Sequence, residues 1–138
     1  MRISFINLAP SAWRIPRAAF LRAARRAQKF FGSWAAGKRI AVAFVSAETS
    51  KKLNSRYRAT SRPTNVLSFA SAHPGELGDI VICPSVARTE ASEAGIGFRR
   101  HLAYLFAHGL LHLFGIHHNS KKAEQRMEAA AEKILNTK

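Results

Sequence analysis

A chain of 138 residues that is 47% hydrophobic and 22% charged can build a packed core, which excludes a disordered tail or a collagen-like polymer and predicts one domain over residues 1–138. No apolar run approaches the ~18 residues that span a bilayer, so no membrane partner is expected, and the single Cys83 fits a reducing, cytoplasmic compartment. Against 22 Lys and Arg stand only 8 Asp and Glu, a net charge of +14, and that self-repulsion points to a polyanion partner, with nucleic acid the commonest.

Residues Arg2 to Leu8 alternate apolar and polar side chains, as a strand with one buried face does. Pro16 then opens a helix over Arg17 to Phe31. Phe20, Leu21, Ala24, Ala27, Phe30 and Phe31 recur on it at spacings of three and four, and five cations fill much of the remainder. Gly32 and Gly37 bracket a turn. Arg39 to Ser46 (RIAVAFVS) reads as a largely buried strand, followed by a short helix over Glu48 to Tyr57. Pro63 stops any helix before a third strand, Asn65 to Ala70. A loop over 72–76 precedes the fourth strand, Gly78 to Cys83. Pro84 is placed to start another helix and Gly95 to end it. A long helix from about Phe98 to Phe114 is apolar on most sides and runs through the core. Ser120 caps the last helix, Lys121 to Leu135. The sum is an α+β fold, a four-stranded mixed sheet covered by helices, with one central helix carrying the chemistry.

That chemistry lies in the string HGLLHLFGIHH. His108 and His112 are four apart, so a helix projects them from one face and they can share a metal ion. Gly115 permits the left-handed backbone that ends a helix, and the chain can turn back to present His117 or His118. Three neutral imidazoles with one open position make a catalytic Zn²⁺ sphere, one ion per chain. The spacing HxxxHxxGxxH is that of metzincin metalloproteases and selects His118 as the third ligand. Those enzymes carry a Glu right after the first His as general base, where this chain has Gly109, and without it ordinary peptide hydrolysis lacks its proton acceptor. His101, seven residues before His108, reads as core or as a support to the ligands.

The same string resembles the HGxLHLxGxDH signature of the YbeY family of bacterial rRNA-maturation endoribonucleases. LNSRYRATSRPTNVLSF (Leu53 to Phe69) is similar to that family's LNxxYR…PT(D/N)VLSF, and LGDIVIC (Leu77 to Cys83) to its LGDIxI strand. The resemblance implies that His108, His112 and His118 bind zinc and that Arg58 faces the metal, where a guanidinium can hold a phosphodiester bidentately. His117 stands where the family usually has Asp, and Ser61 where an acid is common. The resemblance also implies small-subunit ribosomal proteins and an Era-like GTPase as partners.

The expected function is therefore a zinc-dependent endoribonuclease for single-stranded RNA in ribosomal RNA maturation and ribosome quality control. Arg58 would clamp the scissile phosphate, and Arg56, Arg62, Arg99 and Arg100 would hold the strand. Two rivals are a zinc hydrolase of another bond, against which Gly109 counts, and a non-catalytic RNA- or ribosome-binding protein with structural zinc. Against the second, three His with no evident fourth protein ligand do not make a closed site.

Overall fold

The computed structural model describes residues 1–9, 14–58, 65–116 and 120–135, with the backbone alone for Arg58. Strand β1 (Arg2–Asn7) leads to helix α1 (Arg17–Phe31), a short 3-10 turn (Ser33–Ala35) and strand β2 (Arg39–Phe44). Helix α2 (Ala47–Arg58), strands β3 (Val66–Ala70) and β4 (Glu76–Ile82), and helices α3 (Pro84–Ala94), α4 (Phe98–Leu113) and α5 (Lys121–Leu135) follow. The sheet order is β1-β2-β4-β3. Parallel pairs β1–β2 and β2–β4 are joined by an antiparallel β3–β4 pair, so the expected mixed four-stranded sheet is present.

Two strands depart from the sequence reading. Ile6 and Leu8 are 45% and 66% exposed, so β1 buries only Ile3 and Phe5, and those only in part; it is an edge strand with β2 alone beside it. Strand β4 starts at Glu76, two residues before the expected Gly78, because Arg39 pairs with Glu76 while Ile40 pairs with Gly78. Leu77 is the extra residue of that bulge. Gly78 takes φ +154°, and a Cβ there would stand 2.3 Å from the carbonyl oxygen of Phe69, so only glycine fits the step.

One sheet face carries most of the core. Ile40, Val42 and Phe44 of β2 and Ile80 and Ile82 of β4 are buried, and α4 packs against β3 and β4. Helices α1, α3 and α5 pack in turn on α4, which explains why α4 is apolar on most sides. At the centre Phe20 of α1 stacks on Phe106 of α4, ring centroids 4.7 Å apart, an offset pair that adds to the area each ring buries.

Local signals end the helices as the residues demand. Pro84 opens α3, and Gly95, in the left-handed region at φ 69°, closes it. Ser120 accepts the Ala123 N–H at 3.1 Å, capping α5 as expected. Ser46 does the same for α2, accepting the Thr49 N–H at 3.1 Å.

Candidate metal centre

Helix α4 ends in a turn that aims the following chain. Gly115 has φ 88°; its N–H donates to the His112 carbonyl and the Ile116 N–H to the Leu111 carbonyl, each at 2.9 Å. This pair of bonds satisfies two carbonyls that a helix end leaves open and reverses the chain.

His108 and His112 are half-buried, and their ring centroids lie 6.0 Å apart. Two neutral imidazoles one helical turn apart suit one borderline-soft cation, so the donor set fits a Zn²⁺-type ion. The third expected ligand, His118, lies outside the described residues, as do His117 and Arg62. Among the described residues no group of three His, Cys, Asp or Glu is placed to hold an ion.

The helix can sit this close to the sheet because residue 109 has no side chain. A Cβ there would meet Ser68 Oγ at 2.9 Å and Ile80 Cγ2 at 3.0 Å. Ser68 Oγ donates to the Gly109 carbonyl at 3.0 Å, so the VLSF strand and the histidine helix are fastened at this point. A carboxylate next to His108 has no room on this backbone.

A carboxylate does approach His108, from α5. Glu128 Oε1 lies 3.6 Å from His108 Nε2 and accepts the Tyr104 hydroxyl in a short hydrogen bond. Burial, then the bond to Glu128, holds the Tyr104 hydroxyl protonated to well above the usual tyrosine range. The rings of His101, Tyr104, His108 and His112 form a ladder along α4, with centroid steps of 5.9, 5.3 and 6.0 Å. At its far end His101 Nε2 lies 2.9 Å from Glu90 Oε1. Asn65 Nδ2 donates to both oxygens of Glu90 at 3.2 Å, tying α3, α4 and the start of β3 together. His101 is thus a hydrogen-bonded, mostly buried support, within the alternatives its spacing left open. Tyr104, Glu90 and Glu128 escaped the sequence reading. For Glu128 a signal exists: beside Met127 on the apolar stripe of α5, it is a carboxylate in a chain with only 8 acids.

The basic residues are dispersed. Arg58 is the last residue of α2. Ser68 faces α4, so its neighbour Phe69 points to the opposite sheet face, and Tyr57 packs edge-on against Phe69, centroids 5.1 Å apart. The end of α2 therefore lies across edge strand β3 from the histidine ladder. Arg56 is exposed, its guanidinium 5.5 Å from the Tyr57 ring centroid. Arg99 and Arg100 are exposed in the first turn of α4, two helical turns from His108.

A mixed sheet backed by a helix that presents paired imidazoles at its terminal turn is the frame of a candidate metal-dependent hydrolase. The family model described as Endoribonuclease YbeY matches residues 12–138. A Bdellovibrio bacteriovorus protein named Endoribonuclease YbeY is 36% identical over 89 residues, 64% of this chain and 59% of that protein. Its namesake from Chromohalobacter salexigens is 42% identical over 101 residues, 70% and 66% of the two chains. One from Alkalilimnicola ehrlichii is 40% identical over 134 residues, 90% and 80%. The chain belongs to the YbeY family. Its matches span less than two thirds of the length of the first two relatives. The solution structure of a Thermotoga maritima protein, 24% identical, has the same fold, with a TM-score of 0.60 over 95% of this chain and 89% of that one.

Proposed function

We propose that this chain is a zinc-dependent endoribonuclease that cuts single-stranded RNA in ribosomal RNA maturation and ribosome quality control. It would act as one domain over residues 1–138, in the cytoplasm, with small-subunit ribosomal proteins and an Era-like GTPase as partners. The observation that carries the reading is the pair of imidazoles at the end of α4, 6.0 Å apart, in a chain of the YbeY family.

His108, His112 and His118 would hold one Zn²⁺. The chemistry such an ion supplies is Lewis-acid polarisation of a phosphoryl oxygen or activation of water. Arg58 would grip the scissile phosphodiester with both prongs of its guanidinium, stabilising charge that grows as the bond breaks. Arg56, Arg62, Arg99 and Arg100 would hold the flanking strand through its phosphates. Glu128, held by the Tyr104 hydroxyl and 3.6 Å from His108 Nε2, would place a carboxylate beside that imidazole from the α5 side. Family membership supports the nuclease over a protease, and so does the tight packing at Gly109, which leaves no place for a neighbouring glutamate base.

The test is metal content measured together with cleavage of single-stranded RNA by nuclease-free preparations of the unaltered chain and of His112→Ala made in parallel. The unaltered chain should bind about one zinc and cut; the variant should lose most of both. Cleavage that persists in His112→Ala would overturn the assignment.

A further inference from the structure

Between α1, the first half of α4 and α5 runs a groove of about 1180 Å³. Arg22 and Arg26 come to it from α1, Arg100 from α4 and Lys133 from α5. Helix α1 carries five cations, Arg17, Arg22, Arg25, Arg26 and Lys29, and no acid, so nothing on that helix neutralises its wall. Arg22, Arg100 and Lys133 are exposed. Arg26 is held across the groove by one bond from Nη2 to the Lys133 carbonyl at 3.4 Å. The acids on the groove are Glu128, which accepts the Tyr104 hydroxyl, and Glu132.

The groove leads to the histidines. Tyr104 and Glu128 line it, and both touch His108, the ring of Tyr104 at 5.3 Å between centroids and Glu128 at 3.6 Å. An extended polyanion lying among the four cations would thus reach His108 across the Tyr104–Glu128 pair. Guanidinium groups that share one groove match a chain of phosphodiesters, each presenting two oxygens to a planar fork.

We propose that this groove is a binding track for the phosphate backbone of single-stranded RNA, carrying one side of the substrate strand to the metal site. The inference rests on the endoribonuclease reading and adds to it Arg22, Arg26 and Lys133 as strand-holding residues. It predicts that the strand covers the α1–α5 face as well as the end of α2, where Arg58 would hold the scissile phosphate.

The experiment measures binding of a metal-free preparation to a labelled single-stranded oligoribonucleotide over a range of salt. Arg22→Gln/Arg100→Gln removes two exposed cations from the groove, and Lys51→Gln/Lys52→Gln removes two exposed cations from α2 as a control. Each lost phosphate contact on a single strand lowers the log–log salt slope by about 0.7. The groove pair should therefore flatten the slope by about 1.4 and weaken binding at low salt by roughly tenfold, with the control pair close to the unaltered chain. Photo-crosslinking of a 4-thiouridine oligomer to the unaltered chain gives a readout independent of variant folding. Cross-links should include sites in 17–31 and 121–135, beyond any at the end of α2. Equal slopes for the two pairs, or no cross-links in 17–31 and 121–135, would overturn the track. Absence of RNA binding by the unaltered chain would overturn both the track and the nuclease reading.

Discussion

The two faces of the sheet are built differently. On one, α4 is wedged between the strands and three further helices, with Gly109 against Ser68 and Ile80, and three of the four rings of the ladder, His101, Tyr104 and His108, meet carboxylates from α3 and α5. On the other, α2 ends with Tyr57 57% exposed and Arg58 as its last residue. Metal ligands need positions fixed to a few tenths of an ångström, and a packed helix provides that. A residue that grips an entering phosphate needs access, which the end of an exposed helix provides. The packed face thus suits groups that must stay fixed, and the exposed end of α2 suits groups that must be reached from solvent.

That comparison breaks most visibly at the histidines. Replacing His108, His112 and His118 together by Ala should abolish metal binding and RNA cleavage, measured by elemental analysis and gel assay. His117→Ala should keep most of the metal. Loss of the ion in His117→Ala with retention in His118→Ala would move the ligand register by one residue.

Next in size is the α2 side. Arg58→Ala should slow cleavage by roughly a hundredfold, the scale of a lost transition-state donor, while metal content and RNA affinity change little. Lys at 58 should rescue poorly, since it keeps the charge and loses the fork. Arg62→Ala is the control for charge. If it is equally damaging, the rim contributes a general field instead of a specific clamp.

Features encoded within a few residues were legible in the sequence. The Pro84 start and Gly95 stop of α3, the Ser120 cap and the left-handed Gly115 each depend on one residue's own backbone preference or short side chain. The α+β class followed from periodicity. Features created by contact between distant segments were not legible. Nothing local to KKAEQRMEAAAEKIL says that Glu128 meets Tyr104, because the meeting depends on how α5 crosses α4. Nor does VLSF announce that Ser68 and Phe69 divide two chemical regions between opposite faces. That follows only once Ser68 is seen on Gly109. The facing of His108 and His112 was legible because their relation is intrahelical; the expected third ligand, His118, rests on spacing alone and lies outside the described residues.

The close approach of α4 to the sheet gives a smaller, structural test. Gly109→Ala gains helix propensity, but its methyl group meets Ser68 Oγ and the buried Ile80 methyl at contacts too short to keep. The net should be destabilising by about 1–2 kcal/mol, a few degrees in Tm by thermal melting. Adding Ser68→Ala should recover part of it by removing one of the two obstructing atoms, at the expense of the Ser68 hydrogen bond. An unchanged Tm in Gly109→Ala would mean that the helix stands further from β3 and β4, and that the packing argument against a neighbouring carboxylate is wrong.

The smallest effect is a titration, and it probes the link between α4 and α5 directly. Burial and the bond to Glu128 both favour the neutral phenol of Tyr104, raising its pKa in the folded chain above the unfolded value. The sign follows from proton linkage. Whatever stability this hydroxyl contributes is fully present below the unfolded tyrosine pKa near 10 and is lost as pH rises through the higher folded value. Phenolate absorbance of the unaltered chain minus that of Tyr104→Phe should therefore appear only in strongly alkaline solution. Glu128→Gln removes the carboxylate but leaves the burial, which is the larger cause, so the midpoint should fall only part of the way towards 10. A midpoint indifferent to Glu128→Gln would mean that α5 does not deliver its carboxylate to this face in solution. The Tyr104–Glu128 pair would then no longer join the basic groove to His108.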